Sequence, residues 1–211
     1  MADDFDELVR TTVRVVSALR EAEVPFALTG GIAVWARGGP ESEHDVDVLV
    51  RAEDSAEAVR VLVAAGMRAA EPPERWLTKV YDRDHLVDLI HEPVESPVTE
   101  ETLARAEWMR VGSVKAPVAP ATDLVVDKLL VLDEHRCDFA VLLPILRALR
   151  EQIDWGEVAR RTAGSPYAEA LLLLAHRLGI AALAQHSGRQ AHDNRSGAAA
   201  VRSGPPASRA G

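Results

Sequence analysis

The sequence predicts a mixed α/β (α+β) fold, a small mixed sheet flanked by helices and followed by a C-terminal helical lobe. Three observations lead there. A short apolar run, Phe26-Ala27-Leu28-Thr29, is followed by Gly30-Gly31 and then by the helix-like Ile32 to Arg37, which gives strand, glycine turn, helix. Valines at 46, 48 and 50 alternate with Asp45, Asp47 and Leu49 at the period of a strand with one packed face. From Thr122 onward the pattern turns helical and leucine-rich.

Taken in order, Phe5, Leu8, Val9, Val16 and Leu19 recur at helical spacing behind an acidic first turn, so Asp4 to Glu23 reads as an amphipathic helix that Pro25 ends. After the strand at 45–50, Asp54 is placed to cap a helix running to Gly66. Trp76 to Asp82 and His85 to His91, separated by Asp82-Arg83-Asp84, read as an antiparallel hairpin. A helix is expected from Thr99 to Glu107, and Met109 to Pro120 is expected to form one more hairpin or an edge strand. The lobe beyond Thr122 should hold three or four helical segments broken at Gly156, Gly164 and Pro166. The expected organisation is an α/β domain at 1–120, a helical lobe at 121–186 and a disordered tail at 187–211, where Gly, Ala, Ser and Pro accompany four Arg and one Asp.

Composition narrows the function classes. The 211 residues carry 24 Lys plus Arg against 33 Asp plus Glu, a net charge of −9 that argues against general coating of nucleic acid. Setting aside the tail's +3 takes the remainder from −9 to −12, so any bound anion must be met by a few placed cations or by a metal. The single Cys137 excludes an intramolecular disulfide and a multi-cysteine zinc site, and reads as a small buried apolar side chain. No apolar run approaches a membrane span, and the start is acidic where a signal peptide would be basic. A cytoplasmic protein with no membrane partner is therefore expected.

The chemistry concentrates in Thr29-Gly30-Gly31, thirteen residues, then Asp45-Val46-Asp47. Residues two apart on a strand share a face, so Asp45 and Asp47 stand side by side. Two such charges are tolerated when one is protonated, when both are solvated, or when a divalent cation lies between them. Hard cations prefer oxygen, often one or two carboxylates plus substrate phosphates. Asp88, inside the otherwise apolar Leu86-Val87-Asp88-Leu89-Ile90, supplies a third carboxylate whose charge needs a partner.

These positions resemble the nucleotidyltransferase superfamily typified by DNA polymerase beta: a Gly-Gly or Gly-Ser turn opening a helix, an Asp-x-Asp strand, and a third acidic residue on a later strand. The stretches Leu28-Thr29-Gly30-Gly31-Ile32-Ala33-Val34-Trp35-Ala36-Arg37-Gly38, Asp45-Val46-Asp47-Val48-Leu49-Val50 and Val87-Asp88-Leu89-Ile90 are similar to the small bacterial abortive-infection-type members, many of them toxin-like halves of toxin–antitoxin pairs. Pro120-Ala121-Thr122-Asp123-Leu124-Val125-Val126-Asp127-Lys128-Leu129 resembles their lysine-bearing helix, so the likeness covers roughly residues 24–150.

The resemblance implies a nucleotidyltransferase fold and transfer of a nucleoside monophosphate from a nucleoside triphosphate, ATP among the candidates, to a hydroxyl of RNA such as tRNA, of a protein or of a small molecule. It implies Mg²⁺ or Mn²⁺ held by Asp45, Asp47 and Asp88, with Asp88 also accepting the proton. Gly30 and Gly31 would offer backbone N–H groups to phosphate, and Lys128 and Lys79 would be the phosphate cations, notable in a chain with three lysines against 21 arginines. A small antitoxin-like partner is also implied. The alternative is the same fold without turnover, a nucleotide- or partner-binding module. Asp138 resembles an acidic position after the lysine helix, where the usual Arg-x-x-Asp is shortened to Arg136-Cys137-Asp138. The family often has Ser, Thr or Arg near the phosphates where this chain has Glu41-Ser42-Glu43-His44, whose glutamates would have to point outward.

Other readings are weaker on geometry. His85, Asp88 and His91 would converge on a helix, but on a strand the histidines share one face and Asp88 takes the other. His44 and His135 read as surface or interface histidines. Trp35, Trp76, Trp108 and Trp155 read as core or lobe-junction anchors, with Trp76 beside Lys79 also placed to flank a base. Thr29, Ser113 and Ser165 lack any nucleophile elbow.

Overall fold

The computed structural model describes residues 2–42, 45–70 and 75–182. The expected tail at 187–211, together with Glu43 and His44, lies outside the described residues. The elements run α1 (Ala2–Glu21), β1 (Ala27–Leu28), α2 (Gly30–Ala36), β2 (Asp45–Leu49), α3 (Ser55–Ala64), β3 (Arg68–Ala70), β4 (Leu77–Asp82), β5 (His85–Ile90), α4 (Glu100–Ala104), β6 (Glu107–Val111), β7 (Val114–Val118), then α5 (Ala121–Leu130), α6 (Phe139–Leu149), α7 (Trp155–Arg161) and α8 (Pro166–Arg177). Seven strands form one mixed sheet in the order β3-β4-β5-β2-β1-β7-β6, with β2/β5 and β1/β7 parallel and the other pairs antiparallel. This is the mixed α/β architecture expected, with helices against a mixed sheet.

Strand register sorts the side chains. Asp45, Asp47 and Leu49 lie opposite Leu86, Asp88 and Ile90, and Lys79 lies opposite Asp88, so all of these share one face. Val46, Val48, Val80, Val87 and Leu89 take the other face and are fully buried. That second face is covered by α1 and α3. Thr11 and Arg14 on α1 donate to Asp82 at 3.0 and 2.5 Å, and Ser55 on α3 meets Thr78 at 3.3 Å. The carboxylates thus lie on the face away from α1 and α3.

Several local expectations are corrected. Asp54 does not cap α3; its carboxylate accepts from Arg51 at 2.6 Å instead. The helix expected over 99–107 is one turn shorter, because Thr99 and Thr102 form a reciprocal cap and the chain must re-enter the sheet at Glu107. Residues 107–118 form a full hairpin that turns at Gly112, whose φ of +56° suits glycine. Gly156 lies inside α7; the break comes earlier, where Asp154 caps that helix through the Glu157 amide. Cys137 is exposed, in the loop between α5 and α6. Of the tryptophans, Trp155 is buried and Trp35 packs edge-on against Phe5, but Trp76 and Trp108 are 40% and 63% exposed and anchor no core.

Buried Arg37 ties the glycine-turn helix to the rest of the protein. Its guanidinium donates to the carbonyls of Ala119 at 2.7 Å and Val118 at 3.3 Å and to Gln152 at 3.1 Å, while the Gln152 amide returns a bond to the Arg37 carbonyl at 2.9 Å. Arg37→Ala leaves two carbonyls without their donor, and each orphaned buried group costs about 1–3 kcal/mol. Its partner Glu107 is largely exposed, so the ion pair adds little. Urea unfolding should therefore show a loss of about 2–4 kcal/mol for Arg37→Ala.

Candidate active site

Asp47 and Asp88 are direct partners across the parallel β2–β5 pair, and Asp45 lies two residues before Asp47 on the same face. Each of the three offers a carboxylate oxygen within 4.8 Å of the others. Asp88 is buried, whereas Asp45 and Asp47 are half-buried. Among the described residues this is the group of His, Cys, Asp and Glu side chains close enough to share a metal ion. His85 is not part of it: it faces α1, with Nε2 3.4 Å from Glu7.

The glycine turn is built around Asp47. Gly30 opens α2 with φ of +60°, and a Cβ there would fall 1.7 Å from Asp47 Oδ2. The Thr29 amide donates to the Asp47 carbonyl at 2.9 Å, and the Gly31 amide donates to the Asp47 carboxylate. A Cβ at Gly31 would fall 2.2 Å from Ser42 Oγ, which brings that loop against the turn as well. Glycine at both positions makes room for the protein's own side chains. Glu41 points into solvent.

Burial first, then repulsion from Asp45 and Asp88, push the Asp47 carboxyl up to about 7; Lys128 on α5 and the Gly31 amide act the other way. Crowded carboxylates of this kind lack positive charge, and an all-oxygen donor set suits a hard divalent cation. Lys79 Nζ sits 3.5 Å from Asp88 Oδ1, so this lysine partly offsets the cluster from the β4 side. Asp138 accepts from the Ala140 amide at 2.9 Å and so caps α6.

A cleft of about 590 Å³ opens beside Asp47. Gly30, Trp76 and, from α5 and its end, Asp127, Lys128 and Val131 also line it. Asp127 was not singled out in the sequence. Burial and the neighbouring Asp123 raise its carboxyl to about 6, against Arg161, Lys128 and Arg105. Asp123 itself pairs with Arg105, at 3.1 Å, and with Arg161 of α7. The i, i+4 spacing of Asp123 and Asp127 was the available signal for this face of α5.

A mixed sheet carrying a glycine turn beside three clustered carboxylates defines the nucleotidyltransferase class. The profile of the family described as "Uncharacterised nucleotidyltransferase" matches residues 6–195, and the chain belongs to that family; it is a nucleotidyltransferase. No curated protein matches it in sequence. In structure it is similar to the antibiotic-resistance factor ANT(2'')-Ia in solution, with 17% identity, a TM-score of 0.50, and 83% of this chain and 95% of that one covered. It is also similar to ANT(2'')-Ia in complex with adenylyl-2''-tobramycin, at 18% identity and TM-score 0.48 over 82% of this chain and 98% of that one. Lincomycin-bound LnuA, a lincosamide antibiotic adenylyltransferase, matches at 10% identity and TM-score 0.48 over 64% of this chain and 92% of that one. These likenesses bear on the fold.

Proposed function

We propose that the protein transfers a nucleoside monophosphate from a nucleoside triphosphate to a hydroxyl acceptor, with Asp45, Asp47 and Asp88 holding Mg²⁺ or Mn²⁺. The observation that carries this reading is the convergence of three carboxylates within 4.8 Å on the sheet face away from α1 and α3, with Asp47 lining a cleft that also presents Lys128. Divalent ions bound there supply charge neutralisation on the triphosphate and its leaving group. Lys128 is the phosphate cation on the helical wall. Asp88 takes the acceptor proton as the acceptor oxygen bonds to the α-phosphorus, the α–β bridging P–O bond breaks, and pyrophosphate leaves. Lys79, with Nζ 3.5 Å from Asp88 Oδ1, adds positive charge beside the carboxylates.

The described helices include none long and apolar enough to cross a membrane. The acceptor reading that charge favours is a small molecule: a net charge of −9 disfavours a large RNA. ATP is the donor of choice for a first assay, by analogy with the adenylyltransferases of similar fold. The abortive-infection likeness would add a toxin-like setting with a small antitoxin-like partner; the reaction is the same in either setting.

The test uses α-labelled nucleoside triphosphates with Mg²⁺ and with tobramycin, lincomycin, tRNA or protein as acceptor, following label transfer and pyrophosphate release. Label should move to one acceptor class, and Asp45→Asn or Asp88→Asn should abolish transfer. Transfer that persists in both variants removes the carboxylates from the chemistry. Triphosphate binding without pyrophosphate release for every acceptor would leave the non-catalytic binding module in its place.

A further inference from the structure

We infer that Trp76 and Val131, which line the same cleft as Asp47, form the apolar seat for the base of the nucleoside triphosphate; this rests on the transferase reading above. Both are exposed apolar side chains, at 40% and 45%, and both line the same 590 Å³ cleft as Gly30, Asp47 and Lys128. The Trp76 carbonyl accepts from the amides of His91 at 3.1 Å and Glu92 at 3.3 Å, which anchors its backbone where β4 begins. An indole left open in a cleft is a stacking platform, since every base has a π-face.

The spacing along each wall supports a nucleotide. On the helical wall Lys128 is followed, three residues on at the end of α5, by Val131, about 4.5 Å further along the axis. On the sheet wall Asp47 is followed by Leu49, about 7 Å along β2, and Leu49 is opposite Ile90 at the Trp76 end. A triphosphate held by Asp47 and Lys128 leaves its base within the same cleft, where Trp76 and Val131 offer apolar surface. Arg75, Glu92 and Arg136 also line this cleft and supply donors and an acceptor for the edge of a ring.

Full-length protein is titrated with Mg·ATP, Mg·CTP and Mg·tripolyphosphate by calorimetry, and by tryptophan fluorescence where Trp76 is present. Wild type should bind ATP with a fluorescence change. Trp76→Ala should weaken ATP binding by about 5- to 150-fold, the range that loss of one aromatic stack produces, and leave tripolyphosphate affinity unchanged. Trp76→Phe should restore ATP binding to within about threefold, because a smaller aromatic face remains. Trp108→Ala, which removes the other exposed indole, should bind all three probes as wild type does. Wild-type affinity for ATP in Trp76→Ala overturns this inference alone, as does an equal loss of tripolyphosphate affinity, which would mark a structural role. Wild type binding neither ATP nor tripolyphosphate overturns the transferase reading and this inference with it.

Discussion

Asp47→Asn should lower transfer by at least about a thousandfold, the equivalent of several kcal/mol of metal-borne charge stabilisation, and at the same time raise the melting temperature of the metal-free protein at pH 8. The two effects have one cause. Asp47 shares a small volume with Asp45 and Asp88, and its carboxyl is pushed up to about 7 by burial and by those two charges. Asparagine keeps the shape and removes the repulsion. A carboxylate whose ionised form destabilises the empty fold is one that a bound cation would relieve.

The sign of the pH dependence follows. Between the ordinary value of 3.8 and about 7 the folded protein holds a proton on Asp47 that the unfolded chain has released. Stability of the metal-free wild type therefore falls as pH rises through this window and levels off above it. Asp127, raised to about 6, contributes with the same sign, so the comparison with Asp47→Asn isolates the cluster. Melting curves without Mg²⁺ should show the variant above wild type by several degrees at pH 8 and by clearly less at pH 5, the gap closing only toward the ordinary carboxyl value of 3.8. Added Mg²⁺ should raise the wild-type midpoint more at pH 8 than at pH 5, because binding must expel the proton, and should leave Asp47→Asn nearly unmoved. Equal Mg²⁺ responses in the two proteins would remove Asp47 from the cation site.

How much of this was legible in the sequence depends on distance along the chain. The faces of β2 and β5 follow from period-2 patterning, so the shared face of Asp45 and Asp47 and the exclusion of a His85–Asp88–His91 trio could be read directly. The pairing of Asp47 with Asp88 could only be guessed, because strand order is a tertiary property. β3 was missed: Arg68-Ala69-Ala70 has no β-branched or aromatic residue, and it is a strand because β4 offers it an edge. Arg37 looked like the end of a helix, and nothing local shows that it reaches Val118, Ala119 and Gln152. The ion pair between Lys79 and Asp88 was hidden in the same way, since hairpin register sets it. Trp108 reads as an anchor because aromatic residues are usually buried, and Trp76 reads as an anchor or as a residue flanking a base; only the fold shows which of them lines a cleft.

Gly30→Ala should cost activity out of proportion to stability, and Gly38→Ala supplies the contrast. Both glycines have positive φ, +60° and +93°, so alanine at either place pays the left-handed penalty of about 1–2 kcal/mol. Their surroundings differ. A Cβ at Gly38 meets nothing within 4 Å, whereas at Gly30 it would lie 1.7 Å from Asp47 Oδ2 and 2.6 Å from Asp47 Cγ. The Asp47 carboxylate must then swing away from Asp45 and Asp88, and a displacement of about 1 Å in a reacting constellation costs on the order of a hundredfold. Gly38→Ala should therefore keep transfer activity and the Mg²⁺-dependent rise in melting temperature, while Gly30→Ala, equally folded by circular dichroism, loses at least about a hundredfold in transfer and most of that rise. Such a difference between two glycines of similar backbone strain would tie the glycine turn to the aspartate it shelters, because only at Gly30 does the added methyl meet a carboxylate. Equal behaviour of the two variants would assign the turn to chain geometry alone.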